Sequence, residues 1–218
     1  MSEARKRVVV FISGGGSNML SLLEATKSAD YPAEIVAVIS DKPEAGGLAK
    51  AASAGIATYA FARSDYPSKA DHEMAILGKL SELEPDLICL AGYMRLLSGD
   101  FIRAYEGRIL NIHPSLLPLF PGLHTHERAI EAGARLAGCT VHFVTEGMDE
   151  GPVIAQGVVP VLHDDTADSL AARVLTVEHR LYPAALKAVA DGDVVMSAEG
   201  RAVRHASHTD PKAAVLSL

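Results

Sequence analysis

Apolar positions along the chain fall into short β-branched runs separated by segments with helical spacing. The runs at 7–13, 35–40, 86–91, 108–112 and 140–145 predict strands, and the segments at 18–26, 46–54, 69–83 and 127–132 predict helices. These strands are apolar nearly throughout instead of alternating, the pattern of a strand buried on both faces. The chain is therefore expected to be α/β, with a mostly parallel twisted sheet and helices on both faces. Beyond Asp149 the pattern changes. Residues 152–161 predict a further strand, of antiparallel kind, and 165–189 one long helix capped by Thr166 and kinked or interrupted at Pro183. A single domain over 1–205 is expected, followed by a weakly ordered tail at 206–218 that carries Ser, Thr, Asp and Pro.

Parallel sheets of this class bind ligands beyond the carboxyl ends of their strands, near a switch in strand order. Two segments stand at such ends. In VVVFISGGGSNMLSLLEA a strand gives way to Gly14-Gly15-Gly16 and then to a helix. Glycines let the backbone approach a ligand, and the free amide groups of a helix start favour an anion. Ser17 and Asn18 can cap that helix and present donors. A dinucleotide fingerprint would need glycine where Met19 stands, although Asp41 lies near the place of a ribose-binding acid. A Walker loop would need Gly-Lys-Ser/Thr, which is absent, so a small phosphate monoester fits best. The alternative is a glycine turn that only packs a helix on a sheet.

In RILNIHPSLLP a strand delivers Asn111 and His113 two residues apart, on one face, and stops at Pro114. An amide can donate to a developing oxyanion, and a histidine exchanges protons near neutral pH. A carboxylate partner would orient the ring. Asp149, in EGMDEGP, is the best placed, because its loop follows the strand at 140–145 and should open at the same sheet end. On local sequence alone, a solvated turn residue is the favoured reading of Asp149. His124, His126 and His142 invite a metal reading, but neither HExxH nor a Cys/His zinc spacing is present, so no metal is expected. No GxSxG elbow occurs, and Cys89 lies in an apolar strand, so the residues suggest proton transfer and oxyanion stabilisation over covalent catalysis.

Composition narrows the partners. Of 218 residues, 49% are hydrophobic and 22% charged, ordinary for a soluble globular protein, and the net charge of −7 argues against a nucleic-acid partner. No run has the length of a membrane span, and the apolar stretch at 8–12 is too short for a signal peptide, so a cytoplasmic location is expected. Two cysteines, both in apolar runs, suit a reducing compartment. Small-molecule substrates are expected, with the chain a monomer or homodimer.

Asn111-x-His113 together with Asp149 is where the chain resembles a known family, the phosphoribosylglycinamide formyltransferases, folate-dependent enzymes of purine biosynthesis. The resemblance runs from FISGGGSN through NIHPSLLPLFPGLHTH to VHFVTEGMDEGPVIAQ and TVEHRLYP. It implies a Rossmann-like formyltransferase fold and transfer of the formyl group of 10-formyltetrahydrofolate, as co-substrate, to the amine of glycinamide ribonucleotide. It implies that Gly16, Ser17 and Asn18, helped by Lys69, hold the phosphoribosyl substrate, and that Glu178 helps hold the same molecule. The family commonly has Arg at the Lys69 position, and Lys keeps the charge without the bidentate fork. By the same resemblance Met94, Arg95, Leu96 and Leu97 read the pterin through their backbone, and Thr145, Glu146, Gly147 and Met148 lead to Asp149 in the folate loop. Asn111 and protonated His113 would stabilise the tetrahedral oxyanion, with Asp149 supporting His113 and relaying protons.

Three other readings share these features. A formyltetrahydrofolate deformylase uses a similar Asn-His-Asp set but usually carries an N-terminal regulatory domain, whereas here the first strand begins by Arg7. A methionyl-tRNA formyltransferase usually adds a C-terminal tRNA-binding domain, for which the length and acidic charge leave no room. A non-catalytic phosphoribosyl-binding protein would need the glycine loop but not the Asn111, His113 and Asp149 set.

Overall fold

The computed structural model describes residues 4–204. In chain order, β1 (Lys6–Ile12), α1 (Ser17–Thr26), β2 (Ala33–Ser40), α2 (Gly46–Ser53) and β3 (Ala57–Ala60) come first. A 3-10 turn at Arg63–Asp65 precedes α3 (Lys69–Leu83), β4 (Leu87–Leu90), α4 (Gly99–Ala104), β5 (Ile109–His113) and α5 (Thr125–Glu131). Next are β6 (Leu136–Phe143), β7 (Val153–Pro160) and α6 (Ala167–Ala190), and a separate hairpin of β8 (Val194–Met196) and β9 (Ala202–Arg204) closes the described chain. The expected tail at 206–218 lies outside the described residues.

The sheet has seven strands in the order β3-β2-β1-β4-β5-β6-β7. β1 to β5 pair in parallel, and β6 and β7 join antiparallel. The chain builds outward from β1 to β3, then crosses to β4 on the other side of β1. The switch in strand order is therefore between β1 and β4, and the glycine loop, the segment at 92–97 and the tip of β5 all open at that end.

The first strand shows why its apolar run is continuous. Val8, Val10 and Ile12 pack into one core with Met19 and Leu22 of α1 and Tyr182, Ala185 and Leu186 of α6. Val9 and Phe11 pack into the other, with Ile76 and Leu80 of α3 and Phe101 of α4. Each of these side chains is fully or almost fully buried, and burial of a Val, Leu or Phe side chain stabilises by about 1.5–3 kcal/mol. A charge at Val10 would sit in an apolar layer without a partner. Cys89 and Cys139 are free and buried, and burial pushes both thiols up to about 12, which removes them as nucleophiles.

The long helix α6 begins as expected, with a reciprocal capping box between Thr166 and Ser169. Pro183 does not interrupt it. The ring removes one backbone donor, but the helix is held by tertiary bonds around that turn: the Pro183 carbonyl accepts Tyr31 Oη at 2.6 Å, and Tyr182 Oη lies 3.1 and 3.0 Å from the carbonyls of Leu90 and Leu110. Tyr182 thereby ties α6 to β4 and β5, directly below the site.

Candidate active site

Pro114 ends β5 at His113, as the missing N–H requires, and leaves Asn111 and His113 on the wall of a cavity of about 490 Å³. Asp149 lines the same cavity, with its Oδ2 3.4 Å from His113 Nδ1. The route by which it arrives differs from expectation. The strand before it, β6, runs antiparallel to β5, so its end lies beside the start of β5, where Val144 N–H donates to the Ile109 carbonyl. The loop leaves at the opposite sheet end and folds back along the face to bring Asp149 to His113. Apolar patterning marks a strand as buried but carries no sign of its direction.

Both groups that face His113 have unusual backbones. His113 Nε2 lies 3.1 Å from the Phe120 carbonyl, and Phe120 has φ 54°, while Asp149 has φ 58°. A non-glycine residue in this left-handed region costs about 1–3 kcal/mol, which the surrounding structure must offset. Asp149 Oδ2 is also fixed by the Gly122 N–H at 2.8 Å. A carbonyl oxygen at Nε2 and a carboxylate at Nδ1 thus place an acceptor beside each ring nitrogen of His113.

Asn111 is oriented by His142, its antiparallel neighbour on β6. Asn111 Nδ2 lies 3.1 Å from His142 Nε2, and His142 Nδ1 lies 2.8 Å from the Phe143 carbonyl. Burial pushes the His142 pKa down, so the ring is neutral, donates through Nδ1 and accepts at Nε2. That choice turns the Asn111 amide nitrogen toward His142 and leaves its second N–H for a ligand. His142 thus lines the cavity and orients Asn111.

At the glycine loop, Gly16 has φ 69°, and a Cβ there would meet Met19 Cε at 2.8 Å and Gly47 Cα at 3.1 Å. The position therefore requires glycine on two grounds. Ser17 is the exposed first residue of α1, and no side chain caps the helix, so the amide groups at its start are unshielded. The expected capping role of Asn18 is not seen. Its side chain is buried, and Nδ2 donates to Glu178 Oε2 at 2.6 Å, across 160 residues of sequence. The Asn18 Oδ1 atom is buried without a partner.

Burial raises the Glu178 pKa above 4.5, against the lowering pull of the Asn18 bond and of His179 and His113. A raised folded-state pKa means that this group favours folding below its unfolded value near 4.5 and loses that contribution as pH rises through the folded value. At neutral pH the buried carboxylate therefore destabilises the fold. Glu178→Gln is expected to raise the melting temperature at pH 7, by about 2–4 °C for each kcal/mol relieved, with the gain shrinking toward pH 4.5. Melting curves across that range test it, and a lower melting temperature at every pH would refute it.

All eight residues expected on the folate side, at 94–97 and 145–148, line the large cavity together with Asn111, His113 and Asp149. Met94, Leu96, Leu123 and Met148 expose apolar side chains at its rim. The Glu146 carboxylate turns outward to Arg103 Nη1 of α4, at 2.7 Å, and latches the loop over that helix. Lys69 does not join the glycine loop. It lies on a second cavity, of about 290 Å³, with Arg63, His72 and the segment at 93–97, and its Nζ is 3.7 Å from Glu73. Sequence reasoning missed Tyr93, Leu123 and Thr125 as lining residues; the only signal for the last two was their place just after NIHPSLLP. Among the described residues no group of His, Cys, Asp and Glu side chains is placed to hold a metal.

The model of the Formyl transferase family matches residues 6–186. The chain belongs to that family. Among formyl transferases, the phosphoribosylglycinamide formyltransferase of Escherichia coli is 45% identical over 189 residues, covering 87% of this chain and 89% of that protein. The trifunctional purine biosynthetic protein adenosine-3 of Drosophila melanogaster is 46% identical over 201 residues, but the chain spans only 15% of its length. A crystal structure of phosphoribosylglycinamide formyltransferase from Brucella melitensis matches with TM-score 0.83 and 70% identity, covering 85% of this chain and 96% of that one. A formyltetrahydrofolate deformylase from Pseudomonas putida shares the fold, with TM-score 0.83 at 31% identity over 94% of this chain and 71% of that one. Solved proteins with two different named activities therefore share this fold.

Proposed function

We propose that the chain transfers the formyl group of 10-formyltetrahydrofolate to the amine of 5-phosphoribosylglycinamide, in purine biosynthesis. The observation that carries this reading is the convergence of Asn111, His113 and Asp149 on one cavity with an apolar rim, opened at the same sheet end as the uncapped start of α1. The amine attacks the formyl carbon and a C–N bond forms. Negative charge gathers on the formyl oxygen, where the free Asn111 N–H and the His113 imidazolium stabilise it. The Phe120 carbonyl holds His113 Nε2 in the free protein, and the substrate oxygen takes its place. Asp149 compensates the ring's charge and, through water, passes a proton from the attacking amine to the folate N10, which leaves as the C–N bond to it breaks.

Gly16, Ser17 and Asn18 are assigned to the phosphate and Glu178 to the phosphoribosyl moiety, supported by the free helix start and the Asn18–Glu178 pair. Lys69 is reassigned. Its cavity is continuous with the folate side through residues 93–97, so its ammonium suits the acidic end of a folate better than the phosphate. The catalytic unit proposed is the domain over 1–205.

Formyltetrahydrofolate deformylase is the second reading, favoured by the 31% identity to such an enzyme. The test is optical loss of 10-formyltetrahydrofolate with and without glycinamide ribonucleotide. Consumption only with the amine present is the expected result. Consumption without it would establish the deformylase, and none in either case would leave a binding protein.

A further inference from the structure

The chemistry of the cavity leaves the buried carboxylate of Asp41 unused. Its place after β2 suggested a ribose-binding acid, yet both of its oxygens are engaged inside the protein. Oδ1 accepts the Ser13 hydroxyl at 2.5 Å, and Oδ2 accepts Arg95 Nε at 2.7 Å. Asp41 is 1% exposed at its side chain and Arg95 is 41% exposed. Ser13 is the residue immediately before the glycine loop, and its Oγ also accepts the Met94 N–H at 2.9 Å. Ser13 N–H in turn donates to the Gly92 carbonyl at 3.1 Å.

We propose that Asp41 is a positioning residue for the reaction described above: it fixes Arg95 and clamps the segment at 92–97 to the base of the glycine loop, so that the folate-side wall is held in register with the phosphate-side loop. The inference rests on the proposed function for the names of the two ligands. Its geometric basis is independent. Arg95 lines both cavities, and among the described residues its terminal nitrogens take no hydrogen bond. Held through Nε alone, the guanidinium keeps its terminal N–H groups for a ligand. A ring of bonds then runs from Asp41 through Ser13 to the Met94 backbone and back through Arg95. A buried carboxylate with a single cationic partner is what makes such a clamp stiff, because swinging Arg95 away would leave the charge uncompensated.

The test compares the parent with Asp41→Asn, Arg95→Met and the double variant, by steady-state kinetics and by calorimetric binding of tetrahydrofolate. Asp41→Asn keeps the shape and the Ser13 bond but removes the charge that holds Arg95, and Arg95 can then turn to water, so folding should survive. The expected result is a rise of about tenfold in the folate KM and in the tetrahydrofolate Kd, the loss of one charge-assisted hydrogen bond. The kcat should move by less than about threefold, since no group at the reacting atoms changes. The double variant should be no worse than Arg95→Met, because Asp41 acts through Arg95. A purely structural role would lower the melting temperature without this KM-against-kcat split. A folate KM and Kd unchanged in Asp41→Asn, or effects that add in the double variant, would overturn the proposal while leaving formyl transfer by the parent intact. A parent that neither binds tetrahydrofolate nor transfers formyl would overturn both.

Discussion

Replacing Asn111 with alanine is expected to lower kcat by about 10²–10³-fold, the usual loss for one oxyanion donor. The side chain is anchored from below by neutral His142, at 3.1 Å, so its free N–H is presented in a fixed direction and contributes without reorganisation at the moment of reaction. The neutral state of His142 is itself set by burial, against the raising pull of the Phe143 carbonyl, which accepts the Nδ1–H and so fixes the tautomer. Alanine removes the donor and also leaves His142 Nε2 buried without a partner. Some loss of stability, about 1–3 kcal/mol, should therefore accompany the kinetic effect. Melting curves separate the two, because the residual stability leaves the enzyme folded at assay temperature. A kcat within about threefold of the parent would remove Asn111 from the mechanism and, with it, the oxyanion reading of the cavity.

Gly151→Ala should be the most damaging substitution outside the reacting groups. A Cβ at this position would lie 1.7 Å from the Phe143 carbonyl oxygen and 2.8 Å from its carbon. Both are backbone atoms, and neither can turn aside as a flexible side chain would. Phe143 N–H donates to the Pro152 carbonyl at 3.0 Å, so the loop is tied at the very point where the new methyl would push. The chain must move off β6, and Asp149, two residues earlier, moves with it. Overpacking of this kind costs about 1–3 kcal/mol, and a shift of about 1 Å in a catalytic group costs about 10²-fold in rate. The clash also bears on the Phe143 carbonyl that fixes the His142 tautomer. The variant should therefore melt lower and lose activity together. Binding of inorganic phosphate at the start of α1 should persist, because the glycine loop is outside the cavity lining and the clash at residue 151 falls on Phe143 and His142. Normal activity in Gly151→Ala would show that the loop does not need its tight return to place Asp149.

The two substitutions probe the two kinds of information that the chain carries. Asn111, His113 and Pro114 are neighbours in sequence, and their joint placement follows from local rules: a strand alternates its faces and proline cannot continue it. The same is true of the glycine loop and α1, where a continuous apolar strand, a left-handed glycine and a helix start follow one another within a dozen residues. Strands buried on both faces, helices between them and ligands at the strand ends could all be stated before any coordinates. β3, β8 and β9 escaped because they are only partly buried and lack the continuous apolar run that marked the equally short β4 and β5, and α4 because six residues are too few for a helical period to show.

What only the tertiary structure decided are the relations between distant segments. The direction of β6 is one, since hydrophobic pattern reports burial and not polarity of the chain. As a result Asp149 reaches His113 by a loop that returns from the wrong end of the sheet. The placement of Lys69 is another. It sits beside Arg63 and Arg95 instead of at the glycine loop, because α3 starts on the β3 edge of the sheet and its first turn opens toward residues 93–97. Asn18 looked like a helix cap and proved to be the partner of Glu178, and Asp41 looked like a ligand for ribose and proved to be bound to Ser13 and Arg95. In each case a polar side chain chose a partner remote in sequence. Which residues are inside, and which chemistry stands at a strand end, is written in short-range pattern; which buried charge meets which donor depends on the packing of the whole chain, where an unpaired buried group is costly and any available partner is taken.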